Sequence, residues 1–139
     1  MSNLPFKILG IEHVGIAVKD LNSISKIFGD LLGLDLHRRE KIEDQQVITD
    51  IYNVGKDKLE FLKATSPDSL IAKFLEKRTE GMHHIALIVD NLQSALDYLN
   101  EHDVQLIDKS PRIGAEGLKI AFIHPKSTGG VLVELCEKK

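Results

Sequence analysis

Two histidines and two glutamates are the residues of this 139-residue chain whose types and spacing could do chemistry. His13 opens the run His-Val-Gly-Ile-Ala-Val-Lys-Asp-Leu21, and 71 residues later His84 opens His-Ile-Ala-Leu-Ile-Val-Asp-Asn-Leu92. Each run is a histidine, an alternating apolar strand, a polar pair and a leucine. A second match falls near the end of each half, Leu59-Glu60-Phe61 against Val133-Glu134-Leu135, 74 residues apart. One short loop insertion accounts for the difference between the two separations, so duplication explains both matches. Two imidazoles and two carboxylates brought together make an N₂O₂ donor set without a thiolate, which suits Co, Ni, Zn, Mn or Fe(II). The two carboxylates cancel the charge of a divalent ion, and an octahedral site would keep two positions for water or substrate oxygens.

Strand alternation decides whether these side chains can meet, because successive residues point to opposite faces. In the first strand Val14, Ile16 and Val18 form one bulky face, while His13 shares the other with Gly15 and Ala17. Small neighbours leave room beside the imidazole. In the second half Ile85, Leu87 and Val89 pack one way, and His84 points the other way with Ala86. His83 falls on the bulky face, so parity selects His84. A lone strand histidine is more often a structural residue, and a lone glutamate often marks a solvated edge. Four such residues placed symmetrically resist that reading, since buried charge is costly unless paired or coordinated.

The elements that must position them follow a repeated strand–helix–strands order. Residues 11–18 alternate as a strand, and apolar positions at helical spacing predict a helix over 22–32 ended by Gly33. Strands are expected at 35–39, 47–53 and 58–62. Ser66 and Pro67 suit an N-cap and first helical position, so a linker helix is expected over about 66–80. The second half reads as a strand from His84, a helix over 92–101, and strands at 104–108, 119–124 and 131–136. The expected fold is α+β: one domain over 1–139, with module 1 at about 8–65 and module 2 at about 81–139. Its two βαβββ modules would form a curved mixed sheet around a metal-binding cleft.

Composition excludes several other functions. The hydrophobic share is 42% and the charged share 28%, ordinary for a globular domain. Trp is absent and the net charge is -3, which argues against a base-stacking or polyanion-binding surface and so against a nucleic-acid partner. Cys136 is the only cysteine, so no intrachain disulfide can form, and a reducing compartment is compatible. The first ten residues lack a signal-peptide pattern, and no apolar run is long enough to span a bilayer. A cytoplasmic location without a membrane partner is expected.

Several stretches carry a resemblance to a known family. Residues 11–21, the segment 66–77 running into Gly81-Met-His-His-Ile-Ala86, and Phe122-Ile-His-Pro-Lys-Ser-Thr-Gly-Gly-Val-Leu-Val-Glu134 resemble the vicinal-oxygen-chelate superfamily. The first is shared across the superfamily, the second and third are most similar to the methylmalonyl-CoA epimerases within it, and Pro111-Arg-Ile-Gly-Ala-Glu-Gly117 resembles the loop before a late strand of that family. The resemblance implies that His13, Glu60, His84 and Glu134 ligate one divalent metal, with Co²⁺ favoured. It also implies interconversion of (R)- and (S)-methylmalonyl-CoA by a homodimer within propionate metabolism. Such chemistry removes a proton from C2 and returns it through a stabilised enolate, using bases on both faces. Glu134 is the first candidate base and Glu60 the symmetric one. Asp50 on the preceding strand is a further candidate. His124 and Lys126 would touch the acyl carboxylate or CoA phosphates, or merely shape a turn. The Arg38, Arg39 and Lys41 group reads as a solvated strand end.

Rival readings share parts of this pattern. A glyoxalase I would use the same ligand types, but typically shows Asp-Pro-Asp-Gly where this chain has His124-Pro-Lys-Ser. An extradiol-type dioxygenase would leave Glu60 superfluous, and a drug-sequestering binding protein of the same fold usually lacks the ligands. Parity supplies a test independent of these rivals. His84→Ala should abolish bound metal, while His83→Ala should retain it, as read by metal analysis of the purified variants. Equal loss from both would show that the alternation was misassigned.

Overall fold

Period-two alternation and cross-strand pairing organise the chain, seen in a computed structural model that describes residues 3–138. Met1 and Ser2, the start of the N-terminal segment considered above, lie outside the described residues, as does Lys139. The chain divides into two compact units: His13–His83, and Met1–Glu12 together with His84–Lys139. The N-terminal segment therefore belongs with the second half rather than with module 1. Lys7 and Asp90 exchange hydrogen bonds, with Lys7 N donating to Asp90 Oδ1 at 2.7 Å and Asp90 N to the Lys7 carbonyl at 3.1 Å. Phe6 meets Tyr98 edge-on, with ring centroids 5.8 Å apart.

The first unit holds the C-terminal part of β1 (Ile8–Ala17), then α1 (Leu21–Ile24), β2 (Asp35–Ile42), β3 (Val47–Val54), β4 (Asp57–Ala64) and α2 (Leu70–Lys77). Its strand order is β2-β3-β4-β1, with β1 parallel to β4 and the other pairs antiparallel. Asp20 caps α1 by accepting from Asn22 N at 3.0 Å. Beyond Ile24 the expected α-helix widens into a π-helix over Ser25–Leu31, and Leu32 N reaches back to the Ile27 carbonyl at 2.8 Å. The sheet beneath accounts for this departure. Phe28 lies 4.8 Å from the Phe61 ring, and Gly29 comes close to the Tyr52 ring, so packing sets the winding. Gly33, at φ +73°, ends the segment in a left-handed conformation that side chains disfavour.

The linker helix starts later than its sequence suggests. Ser69, not Ser66, is its N-cap, accepting from Ala72 N at 3.0 Å. Ser66 instead closes the preceding turn, where its Oγ accepts from Asp68 N at 3.1 Å.

The second unit holds most of β5 (Gly81–Val89), then α3 (Leu92–Glu101), β6 (Arg112–Ile113), β7 (Lys119–Ile123) and β8 (Leu132–Glu137). Its order is β5-β8-β7-β6, with β5 parallel to β8, so the two halves repeat one topology as the sequence repeat requires. Asn91 caps α3 at Ser94 N, 3.0 Å away. Leu92, Ala95 and Leu96 pack against Val89, Ala121 and Leu135, and each leucine contributes about 2 kcal/mol by leaving water. The strand expected at 104–108 does not form. Only Leu106 bridges to Ile123, and the N–H groups of Ile107 and Asp108 both turn to the Phe122 carbonyl.

α1 and α3 each cover one face of their half-sheet, and that assignment places Asp50. It lies beside Phe61 in the β3–β4 register, while Glu60 lies beside Ile51, so the two acids point to opposite faces. Asp50 is 1% exposed and accepts from Arg39 through two bonds of 2.6 and 2.8 Å. This bidentate pairing raises the Arg39 pKa further above its ordinary value. Asp50 is thus a structural ion-pair partner, and Arg39 is no mere solvated strand end. The pair is asymmetric, because the Arg39 side chain is 52% exposed. Arg39→Ala, which strands a buried carboxylate, should cost about 3–5 kcal/mol in urea unfolding. Asp50→Asn returns the arginine to water and should cost distinctly less. Equal losses would contradict the asymmetry.

Candidate functional site

The open face of the first unit carries His13, Gly15 and Ala17 from β1, Glu60 and Leu62 from β4, and Thr49 and Ile51 from β3. Its far end is closed by α2, where Ala17, Val47 and Leu62 pack around Ile71. His13 and Glu60 are 4% and 3% exposed, and His13 Nδ1 lies 3.2 Å from Glu60 Oε2. The alternation expected for β1 holds, since Ile16 and Val18 pack under α1 on the opposite face.

The second unit repeats the arrangement. His84 and Ala86 from β5, Glu134 from β8 and Phe122 from β7 share the face turned away from α3. His84 and Glu134 are 5% and 6% exposed, with His84 Nε2 lying 3.4 Å from Glu134 Oε1. The Phe122 ring stands edge-on to His84 at 6.0 Å and fixes one side of the imidazole. His83 takes another course, packing edge-on against Phe74 of α2 at 5.0 Å. Burial lowers its pKa to about 4, so it is neutral at pH 7.

The two distances bear on what each pair is for. A charge-assisted hydrogen bond between imidazolium and carboxylate closes to about 2.7–2.9 Å. Donors each about 2.1 Å from one ion stand about 3.0 Å apart at a right angle and about 3.4 Å apart at the tetrahedral angle. Separations of 3.2 and 3.4 Å are compatible with such shared ligation. Buried nitrogen and oxygen donors of this type suit a mid-series divalent ion, so the residues of each pair fit the group that the sequence implies.

Glu12 is buried with Lys138 Nζ 3.5 Å from its carboxylate. His124 Nδ1 accepts from Lys126 N at 3.1 Å and caps a 3₁₀ turn over Pro125–Ser127, the turn-shaping alternative. Lys41 pairs with Glu43 at 3.4 Å. Sequence reasoning missed Thr49, which is fully buried on the His13 face with a hydroxyl that has no hydrogen-bond partner among the described residues. An unsatisfied buried hydroxyl costs about 1–3 kcal/mol, and alternation with Val47 and Ile51 is the only sequence sign of where it points.

Known proteins share this architecture closely. Mouse mitochondrial methylmalonyl-CoA epimerase is 36% identical over 94% of this chain and 74% of its own length. The crystal structure of methylmalonyl-CoA epimerase from Mycobacterium tuberculosis superposes with a TM-score of 0.90 at 35% identity, covering 95% of this chain and 89% of that one. A methylmalonyl-CoA epimerase in complex with methylmalonyl-CoA and NH4+ superposes equally well, TM-score 0.90, at 30% identity over 95% of this chain and 96% of the other. Residues 12–122 match the Glyoxalase/Bleomycin resistance protein/Dioxygenase superfamily, and with these relatives the match shows that the chain belongs to that superfamily.

Proposed function

We propose that this protein is a metal-dependent epimerase that interconverts (R)- and (S)-methylmalonyl-CoA. The observation that carries this reading is the repetition of one buried His–Glu pair on the open face of each half, in a chain whose relatives are methylmalonyl-CoA epimerases. In this reading His13, Glu60, His84 and Glu134 hold one divalent ion, Co²⁺ favoured over Zn²⁺, Ni²⁺, Mn²⁺ or Fe²⁺. When bound, the ion supplies electrophilic stabilisation to the enolate oxygen.

The chain's own residues do the remaining work. The C2 proton lies between a thioester and a carboxylate, and removing it leaves a planar enolate. Inversion requires a proton acceptor on one face and a donor on the other. Glu134 and Glu60 come from different halves of the repeat and take these two roles. Both are buried, which excludes competing water from the proton transfer. Gly15 and Ala86 flank the imidazoles with little bulk and leave space for the acyl group. Asp50 takes no part, because it faces the opposite side of the sheet.

The enzyme acts in the cytoplasm as a homodimer, each chain supplying all four ligands of its own site. No helix among the described residues is long and apolar enough to cross a membrane. Sedimentation should give twice the chain mass, and mixing His84→Ala with Glu60→Ala chains should restore no activity. Restoration would mean that ligands are shared between subunits.

Incubation with either epimer of methylmalonyl-CoA in D₂O tests the reading. Deuterium should enter at C2 and the epimers should interconvert, with loss under chelation and return on adding cobalt. Conversion of a glutathione hemithioacetal with no exchange into methylmalonyl-CoA would identify a glyoxalase instead. Glu134→Gln should lower epimerisation by about 100-fold or more with metal retained, because an amide oxygen still coordinates but accepts no proton at neutral pH. Near-normal turnover at full metal loading would move the base elsewhere.

A further inference from the structure

A positive charge sits on the open face of the second unit, outside the four-residue set. Arg112 pairs with Ile120 in the β6–β7 register, so it shares a face with Ile120 and with Phe122 two residues on. Phe122 in turn lies beside Glu134. The guanidinium carbon stands 5.3 Å from the Phe122 ring centroid, and the same ring meets His84 edge-on. Stacking on an aromatic face holds the guanidinium plane without using its hydrogen-bond donors.

The loop is built to keep this group in place. Asp108 Oδ2 accepts from Phe122 N at 2.8 Å, while its Oδ1 lies 3.4 Å from Arg112 Nε. That separation exceeds a charge-assisted hydrogen bond, so Asp108 orients the arginine without neutralising it fully. The two terminal nitrogens make no hydrogen bond to a described residue, and the side chain is 44% exposed. Gly114 brings the loop down onto the same face. A Cβ at this position would come within 2.6 Å of Ile120 Cδ1, and Gly114 N closes the loop on the Leu118 carbonyl at 2.8 Å.

A stacked arginine with free parallel donors is a fork for a planar or tetrahedral oxyanion. We infer that Arg112 receives an anionic oxygen group of the substrate, the acyl carboxylate or a CoA phosphate, and selects thioesters that carry it. This inference rests on the functional reading above for the identity of the substrate. It assigns to the loop before β7 a recognition role that none of the four proposed ligands performs.

Arg112→Gln and Arg112→Lys separate the possibilities in the metal-loaded enzyme. The Gln variant should lose about 10- to 100-fold in kcat/KM, mostly through KM, with unchanged metal content and melting temperature. The Lys variant keeps the charge but not the fork, and should fall between it and the wild type. A loss of equal size on methylmalonyl-CoA and on methylmalonyl-N-acetylcysteamine assigns the fork to the acyl carboxylate. A loss confined to the CoA thioester assigns it to a phosphate. Values for both variants within about twofold of wild type on both thioesters would overturn the inference. If the wild type epimerises neither thioester, the functional reading fails by itself. Calorimetric titration with malonyl-CoA then decides for Arg112: weakening of tenfold or more in the Gln variant supports it, and equal affinity or no binding by either protein overturns it.

Discussion

An imidazole and a carboxylate held side by side away from water constrain each half of this protein. Removing an ionised carboxylate from solvent costs several kcal/mol, which the imidazole at 3.2 or 3.4 Å helps to offset. The rest of each half serves to hold that arrangement. Parallel pairing of β1 with β4, and of β5 with β8, puts His and Glu on the same face of adjacent strands. A helix on the opposite face anchors each strand pair through bulky side chains, which ties the orientation of the polar pair to burial of the core. A one-residue slip would turn Glu60 or Glu134 into the helix and its leucines outward, so register and site are specified together.

The same partition of faces separates the Asp50–Arg39 ion pair from the two His–Glu pairs. Asp50 is as buried as Glu60, yet its two bonds to Arg39 satisfy it on the helix side of the sheet. Glu60 and Glu134 meet histidines at separations compatible with shared ligation. Thr49 adds an unsatisfied hydroxyl to the His13 face, and Arg112 adds an incompletely neutralised cation to the His84 face. Polar groups left open in this way fit a face that meets a ligand, and they cost stability on a face that does not.

Much of this was legible in the residue order, for a definite reason. The repeat and the period of two need no knowledge of partners, so the orientation of His13 against Val14, and of His84 against Ile85, follows from alternation alone. Features decided by contacts distant in sequence were hidden. The first helix was read as regular, but Phe28 and Gly29 widen it to suit Phe61 and Tyr52 on the sheet. Ser66 and Ser69 both offer a cap, and only the closing of the turn at Asp68 decides between them. Residues 104–108 alternate like a strand, yet the N–H of Gln105 turns to Ser127 Oγ and those of Ile107 and Asp108 converge on the Phe122 carbonyl rather than forming a ladder. Asp50 and Glu60 look equally suited to proton transfer until the register puts them on opposite faces. Arg112 showed only as part of a family-like loop, because stacking on Phe122 joins residues of different strands.

The proposed joining of the two His–Glu pairs around one ion is the step on which the functional account turns. X-ray absorption at the cobalt edge, with metal stoichiometry measured on the same samples of wild type, His13→Ala and His84→Ala, tests it most directly. The account predicts one ion per chain with two imidazole and two carboxylate ligands, and loss of an imidazole or of the ion itself in either variant. Two ions per chain, or one ion whose ligand shell is unchanged by one of the two substitutions, would contradict it.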